Sequence, residues 1–274
     1  VFQNVKEFIE RYPASSPKIR KYENYIEFYE SLFSKFRNQD IRVLEIGVQH
    51  GGSLELWKAL TTPSSQIVGL DILPQTKQHE DERVKIFVGD QGDESFLSDV
   101  SSKTGIFDII IDDGSHIPFH QKITFEKFFF ENLRDGGVYV VEDCHTSYWR
   151  DYGGGLRKSG SFIEFSKTLI DEINAWHGQR IKNEASKYTK SIRSIQFESS
   201  MVIFEKAPMV APRNIDIGVE TIDVKTLPVT GSMGNIMNRL RKIEFLRSLV
   251  RRSPTLWRLM SKQIGRSRSK TPES

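Results

Sequence analysis

The strongest constraint on this chain is an alternation of two kinds of segment. Five short β-branched runs, apolar on both faces, are separated by stretches of helical periodicity. The runs are Arg42–Val48, Gln66–Ile72, Val84–Gly89, Phe107–Ile111 and Gly137–Val141, with helices predicted over Ser53–Leu60, Glu94–Ser101 and Phe119–Leu133. A strand with no polar face needs cover on both sides, and parallel neighbours need a crossover long enough to hold a helix. An amphipathic stretch follows at Phe162–Trp176. Ile192–Glu198 and Met201–Lys206, joined by two residues, then read as an antiparallel hairpin. The expectation is an α/β fold: a doubly wound, mostly parallel seven-stranded sheet with an antiparallel last strand.

Three regions follow from this reading. Residues 1–40 form an N-terminal helical segment that packs on the core, because Ile19, Tyr22, Ile26, Tyr29, Leu32 and Phe33 fall at helical spacing within Lys18–Phe36. Residues 41–208 form the core domain. Residues 209–274 form a linker and a basic amphipathic helical extension, Ile236–Ile264, interrupted by Ser253-Pro254. The formal charge of +3 hides an asymmetry. Residues 234–274 hold eleven Lys/Arg against Glu244 and Glu273, so the remaining body is mildly acidic.

With 38% hydrophobic and 27% charged residues the chain is not a disordered one. Its single cysteine, Cys144, excludes an intrachain disulfide and favours a reducing compartment. No apolar run approaches the ~18–20 residues that cross a bilayer, and the first residues lack the apolar stretch of a signal peptide. A start at Val1 reads as a trimmed N-terminus. The expectation is a cytoplasmic protein. The basic tail has two readings: contact with a membrane surface, or packing on the core or a second subunit.

Polar groups gather at the C-terminal ends of the strands, the edge where open parallel sheets bind ligands. After the first comes Glu45-Ile46-Gly47-Val48-Gln49-His50-Gly51-Gly52-Ser53, a glycine-rich turn opening a helix. Its Glu-x-Gly-x-x-x-Gly spacing is neither the dinucleotide fingerprint nor a P-loop. A tight turn also needs glycine for steric reasons alone. The second strand ends at Asp71, suitably placed for ribose hydroxyls, and the third at Asp90-Gln91. A lone aspartate there is otherwise an N-cap.

The densest set is Asp112-Asp113-Gly114-Ser115-His116, echoed one strand later by Glu142-Asp143-Cys144-His145. Four carboxylates at two neighbouring strand ends repel unless a cation lies among them, and an all-oxygen set suits magnesium or manganese. His116 can reach the same pocket and titrates near neutrality, which suits proton transfer. The bland alternative makes these acids helix caps and His116 a turn residue.

These stretches together resemble class I S-adenosylmethionine methyltransferases. The finer pattern is similar to the magnesium-dependent macrolide and polyketide sugar O-methyltransferases. It runs from Tyr25-x-x-Phe28-Tyr29-Glu30 through Leu44–Gly47, Gly52-Ser53-Leu54-x-x-Trp57 and Ile111–His116 to Glu142–Trp149 and Tyr152–Gly155. The resemblance implies a Rossmann-like methyltransferase fold with S-adenosylmethionine framed by Glu45, Gly47, Gly51, Ser53, Asp71, Asp90, Gln91 and Asp112. It further implies a metal held by Asp113, Glu142 and Asp143, with His116 as general base. Either Asp112 or Asp113 is left open as the metal ligand from the first acidic pair. His145, Tyr148 and Trp149 would line the acceptor side, where aromatic faces stack on sugar rings. Cys144 alternates away from the pocket.

A sugar hydroxyl is a weak acid that histidine alone deprotonates poorly, and a divalent ion beside two adjacent hydroxyls lowers that barrier. The expected acceptor is therefore a small molecule or glycan bearing a vicinal diol, and the resemblance implies a homo-oligomer. Two other readings compete. One is an O-methyltransferase for a catechol-like or other small diol. The other is a basic-tailed membrane- or nucleic-acid-binding protein with a vestigial site. Absent base-stacking motifs argue against nucleic acid.

Overall fold

A computed structural model of the chain describes residues 4–178, 185–219 and 221. Two units are distinguished, Val1–Arg213 and Asn214–Ser274. The basic extension Ile236–Ile264, with the membrane and packing readings attached to it, lies outside the described residues.

The first unit is built on seven strands: β1 (Arg42–Ile46), β2 (Gln66–Asp71), β3 (Val84–Val88), β4 (Phe107–Asp112), β5 (Leu133–Val141), β6 (Ile192–Glu198) and β7 (Met201–Lys206). Their order across the sheet is β3-β2-β1-β4-β5-β7-β6. β1 to β5 run parallel, and β7 lies antiparallel between β5 and β6. The predicted seven-stranded, mostly parallel sheet with a reversed last strand is the observed one. Both hairpin strands have the predicted bounds.

Alternation along the strands explains the two layers. Val43, Ile109, Ile111, Val138 and Val140 point to one face, where they join α1 (Val5–Glu10), α2 (Glu23–Ser34) and α3 (Gly52–Leu60) in one buried cluster. Leu44, Ile46, Ile110, Tyr139 and Val141 point to the other, where α4 (Glu94–Thr104), α5 (Pro118–Glu131) and α6 (Phe162–Ile173) cover them. A short helix, α7 (Lys187–Ser191), leads into β6. Period-two side-chain placement makes both faces apolar, so neither layer of helices is dispensable.

Some boundaries depart from expectation for identifiable reasons. The N-terminal helix starts at Glu23 rather than Lys18, and Tyr22 is extended at its entrance. The backbone of Lys18 and Ile19 instead runs against Gly52, where an added Cβ would sit 2.4 Å from the Lys18 carbonyl oxygen. A further helix, α1, precedes it, capped by the Asn4 side chain on the Glu7 amide (2.8 Å). Leu133, expected at the end of a helix, begins β5. Asn132 ends α5 there by donating to the carbonyls of Ser101 (3.0 Å) and Gly105 (2.7 Å). Those carbonyls belong to the C-terminal end of α4, 27 to 31 residues away, so no local signal announces the stop.

Candidate active site

Strand order reverses between β1 and β4, and the crevice at such a switch point is where open α/β sheets take ligands. Here the turn after β1 passes close to the end of β4. Gly47 sits at φ +92°, and a Cβ there would lie 2.1 Å from the Asp113 carbonyl oxygen. Glycine is required at this position on both counts. A cleft of about 660 Å³ opens above it, lined from all five parallel strand ends and from the segment before α2.

On the β1–β3 side, the carboxylates are occupied by nearby groups. Asp71 accepts from the amides of Val48 (2.8 Å) and Gln49 (2.7 Å) through one oxygen and from Leu73 (2.8 Å) through the other. It therefore shapes the glycine turn while lining the cleft. Asp90 accepts from the Gly92 amide (2.7 Å) and also lines the cleft. Gln91 bridges two loops, donating to Asp112 (2.8 Å) and accepting from the Ser115 amide (2.9 Å).

Several expected cofactor residues lie beneath this wall rather than on it. Glu45 is fully buried and accepts from the Ser53 hydroxyl (2.9 Å). Burial pushes its carboxyl up to about 7. Gly51 packs against the His79 ring. Asp112 is turned inward to Gln91 and Tyr139, and burial raises it also to about 7. Of the first acidic pair it is Asp113, not Asp112, that faces the cleft.

The β4–β5 side is built from side chains that face one another. His116 Nε2 lies 4.0 Å from Asp113 Oδ1 and 3.8 Å from Asp143 Oδ2. Ligand atoms of these three residues all lie within 4.8 Å of each other, close enough to share one cation. His116 and Asp143 both have left-handed backbones, φ +57° and +50°, a conformation that costs non-glycine residues energy and is concentrated at functional sites. Glu142 is buried beside them. It accepts from the ammonium of Lys21 (2.8 Å) and from the Tyr29 hydroxyl. Lys21 also contacts Asp113 (2.6 Å). Burial alone would favour a neutral amine, but Asp113, Glu142 and Glu45 outweigh it and hold Lys21 well above the usual lysine range.

Three groups found here were not expected from sequence: Lys21, Tyr25 and Tyr29. Tyr25 donates to Asp143 Oδ1 (2.9 Å), and the turn between β6 and β7 supports the same loop, Ser200 Oγ lying 2.6 Å from His145 Nδ1. Tyr29 reads from its helical spacing as core packing, Tyr25 enters only through the resemblance pattern, and packing does hold both rings. Only the hydroxyls report the site. Lys21 has no local signal at all.

Of the expected acceptor residues, His145 and Trp149 line the cleft, their rings 4.5 Å apart, whereas Tyr148 does not. Tyr22 and Tyr152 complete that rim, near His145 (5.6 Å) and His116 (6.3 Å) respectively. Cys144 is buried on the far side, where burial pushes its thiol up and leaves it inert.

A sheet of this order, with a glycine turn at its switch point, is the Rossmann-like fold of class I methyltransferases. No protein-family model matches the chain. Its similarity to curated proteins is more specific. It is 38% identical over 205 residues to mycinamicin VI 2''-O-methyltransferase of Micromonospora griseorubida, covering 70% of this chain and 49% of that one. It is 34% identical over 206 residues to the 8-demethyl-8-(2-methoxy-alpha-L-rhamnosyl)-tetracenomycin-C 3'-O-methyltransferase of Streptomyces olivaceus, covering 69% and 52%.

Among solved structures it resembles the MycE methyltransferase of mycinamycin biosynthesis in complex with Mg, SAH and mycinamycin VI. The TM-score is 0.67 at 31% identity, over 86% of this chain and 59% of that chain. The chain thus resembles, in sequence and fold, the sugar O-methyltransferases of macrolide and polyketide pathways. It spans about half the length of the curated relatives it matches.

Proposed function

We propose that the protein is an S-adenosylmethionine-dependent O-methyltransferase acting on a sugar hydroxyl of a glycosylated small molecule or glycan, with a divalent cation in the acidic pocket. The observation that carries this reading is the convergence of Asp113, His116 and Asp143 within 4.8 Å, beside buried Glu142, in the cleft that the glycine turn opens. Similarity to the mycinamicin and tetracenomycin enzymes supports it.

The residues fit both groups. Gly47, Gln49, Asp71, Asp90 and Gln91 line the side where S-adenosylmethionine would lie, with Glu45, Gly51, Ser53 and Asp112 holding that wall from behind. Asp113, Glu142 and Asp143 offer only oxygen donors, which suits magnesium or manganese. Bound there, the cation would supply Lewis-acid stabilisation of charge developing on the acceptor oxygen.

The chain's own residues do the rest. His116 presents Nε2 between the two aspartates and takes the proton of the acceptor hydroxyl. Bound along the β1–β3 wall, S-adenosylmethionine would supply the methyl group, a C–O bond forming to the acceptor as the C–S bond breaks and S-adenosylhomocysteine is released. Tyr22, Trp149 and Tyr152 offer aromatic faces at the rim on which a sugar ring stacks. A vicinal diol suits the pocket, one oxygen at His116 and its neighbour toward the carboxylates.

Methyl transfer from labelled S-adenosylmethionine to a panel of deoxysugar glycosides, with and without chelator, tests the proposal. Transfer to a diol-bearing glycoside should vanish with chelator and return with magnesium or manganese. Full activity in excess chelator would remove the metal from the reading. Transfer to catechols and to no glycoside would replace the acceptor.

A further inference from the structure

Among the described residues, the most unusual charge is the one that enters the acidic pocket from outside the sheet. Lys21 lies in the extended segment before α2, yet its side chain is only 3% exposed. Its ammonium bridges Asp113 Oδ2 (2.6 Å) and Glu142 Oε1 (2.8 Å) and sits 5.8 Å from the centre of the Trp57 ring. Asp113 is therefore shared. One oxygen faces Lys21 while the other, 4.0 Å from His116 Nε2, faces the cluster that can hold a cation.

We propose that Lys21 is a built-in counter-cation of the metal pocket, sharing Asp113 and Glu142 with the divalent ion and thereby setting how tightly that ion binds. This rests on the metal reading given above. Asp113, Glu142 and Asp143, when ionised, bring three negative charges together, and one ammonium leaves two for a divalent cation to balance. Removing Lys21 raises the field felt by the ion, and unit charges a few ångströms apart in a largely buried site interact strongly. It also strips buried Glu142 of its charged partner, which costs the metal-free protein stability. Lys21 is thus a positioning and affinity-setting residue. It holds the pocket together before metal arrives and keeps the metal exchangeable afterwards.

The test is calorimetric titration of the full chain with MgCl2 and MnCl2, alongside thermal unfolding with and without metal. Lys21→Met should bind magnesium at least about tenfold more tightly than the wild type. Its metal-free form should unfold at a lower temperature, so that added metal raises its midpoint by more than it raises the wild-type one. Lys21→Gln retains a donor for Glu142 and guards against a Met variant that does not fold alone. It should shift affinity in the same direction. Wild-type binding with neither neutral variant tighter would overturn the inference and reduce Lys21 to a structural strut. Absence of binding in the wild type and in both variants would overturn the metal reading itself.

Discussion

The two walls of the cleft are made in different ways. On the β1–β3 side, carboxylates hold backbone amides of the strand-end turns: Asp71 ties down Val48 in the turn after the adjacent strand, 23 residues away, and Asp90 the amide of Gly92. On the β4–β5 side, charged side chains face one another and are neutralised from afar. Lys21 reaches Asp113 across 92 residues and Glu142 across 121, and Tyr25 reaches Asp143 across 118. The first wall is set by its own loops. The second needs the N-terminal segment docked on the sheet before its charges are tolerable, since like charges brought together in a low dielectric are costly unless paired. Binding surface and reaction centre thus differ in how they can fail.

That difference is sharpest at His116. His116→Ala should lower kcat by about 10²–10⁴-fold with S-adenosylmethionine affinity nearly unchanged, because a general base acts only in the chemical step. Steady-state kinetics paired with cofactor titration measures both. A collapse in cofactor affinity with kcat intact at saturation would place His116 in the wrong wall.

Asp71→Ala should behave oppositely. Loss of a carboxylate that holds three amides loosens the glycine turn, so cofactor affinity should fall by about tenfold or more, each hydrogen bond to a charged group being worth about 1.5–3 kcal/mol. Magnesium binding, on the other wall, should be retained. Equal loss of metal and cofactor binding would break the separation between the walls.

The smallest effect is expected at Tyr29→Phe, which removes only the hydroxyl that donates to Glu142 and keeps the ring packed against Trp57 and Phe33. A buried acceptor left short of a donor costs about 1–3 kcal/mol. That corresponds to a fall in Tm of about 2–12 °C for a unit of this size. Calorimetry in the absence of metal should show it. An unchanged Tm would mean that Lys21 alone sustains Glu142 and that the long-range contacts count for less than their geometry suggests.

Much of this arrangement was legible in the sequence. β-branched runs located the seven strands, since a run apolar on both faces and bounded by turns has few other places to go, and the hairpin bounds followed from its two-residue turn. The strand ends carrying Gly47, Asp71, Asp90, Asp113 and Glu142-Asp143 were legible for the same reason: parallel strands deliver their C-terminal residues to one edge. Less legible was which of these residues turn toward the cleft. Asp112 and Asp113 are adjacent, and only the pleat of β4, with Asp112 paired to Val141 and bonded to Gln91, decides that the first goes under and the second faces out.

What the sequence determined by itself, then, is the order of elements and the edge at which chemistry collects, because hydrophobic period and strand direction are local properties. Tertiary structure decided the partners. An extended segment that reads as the first turns of a helix instead carries Lys21 into the pocket, and two tyrosines of α2, neither of them read as a site residue, turn their hydroxyls onto Glu142 and Asp143. No window of the sequence contains both members of such a pair. Their attraction exists only once burial has removed the water that would otherwise screen it, and burial is a property of the assembled fold.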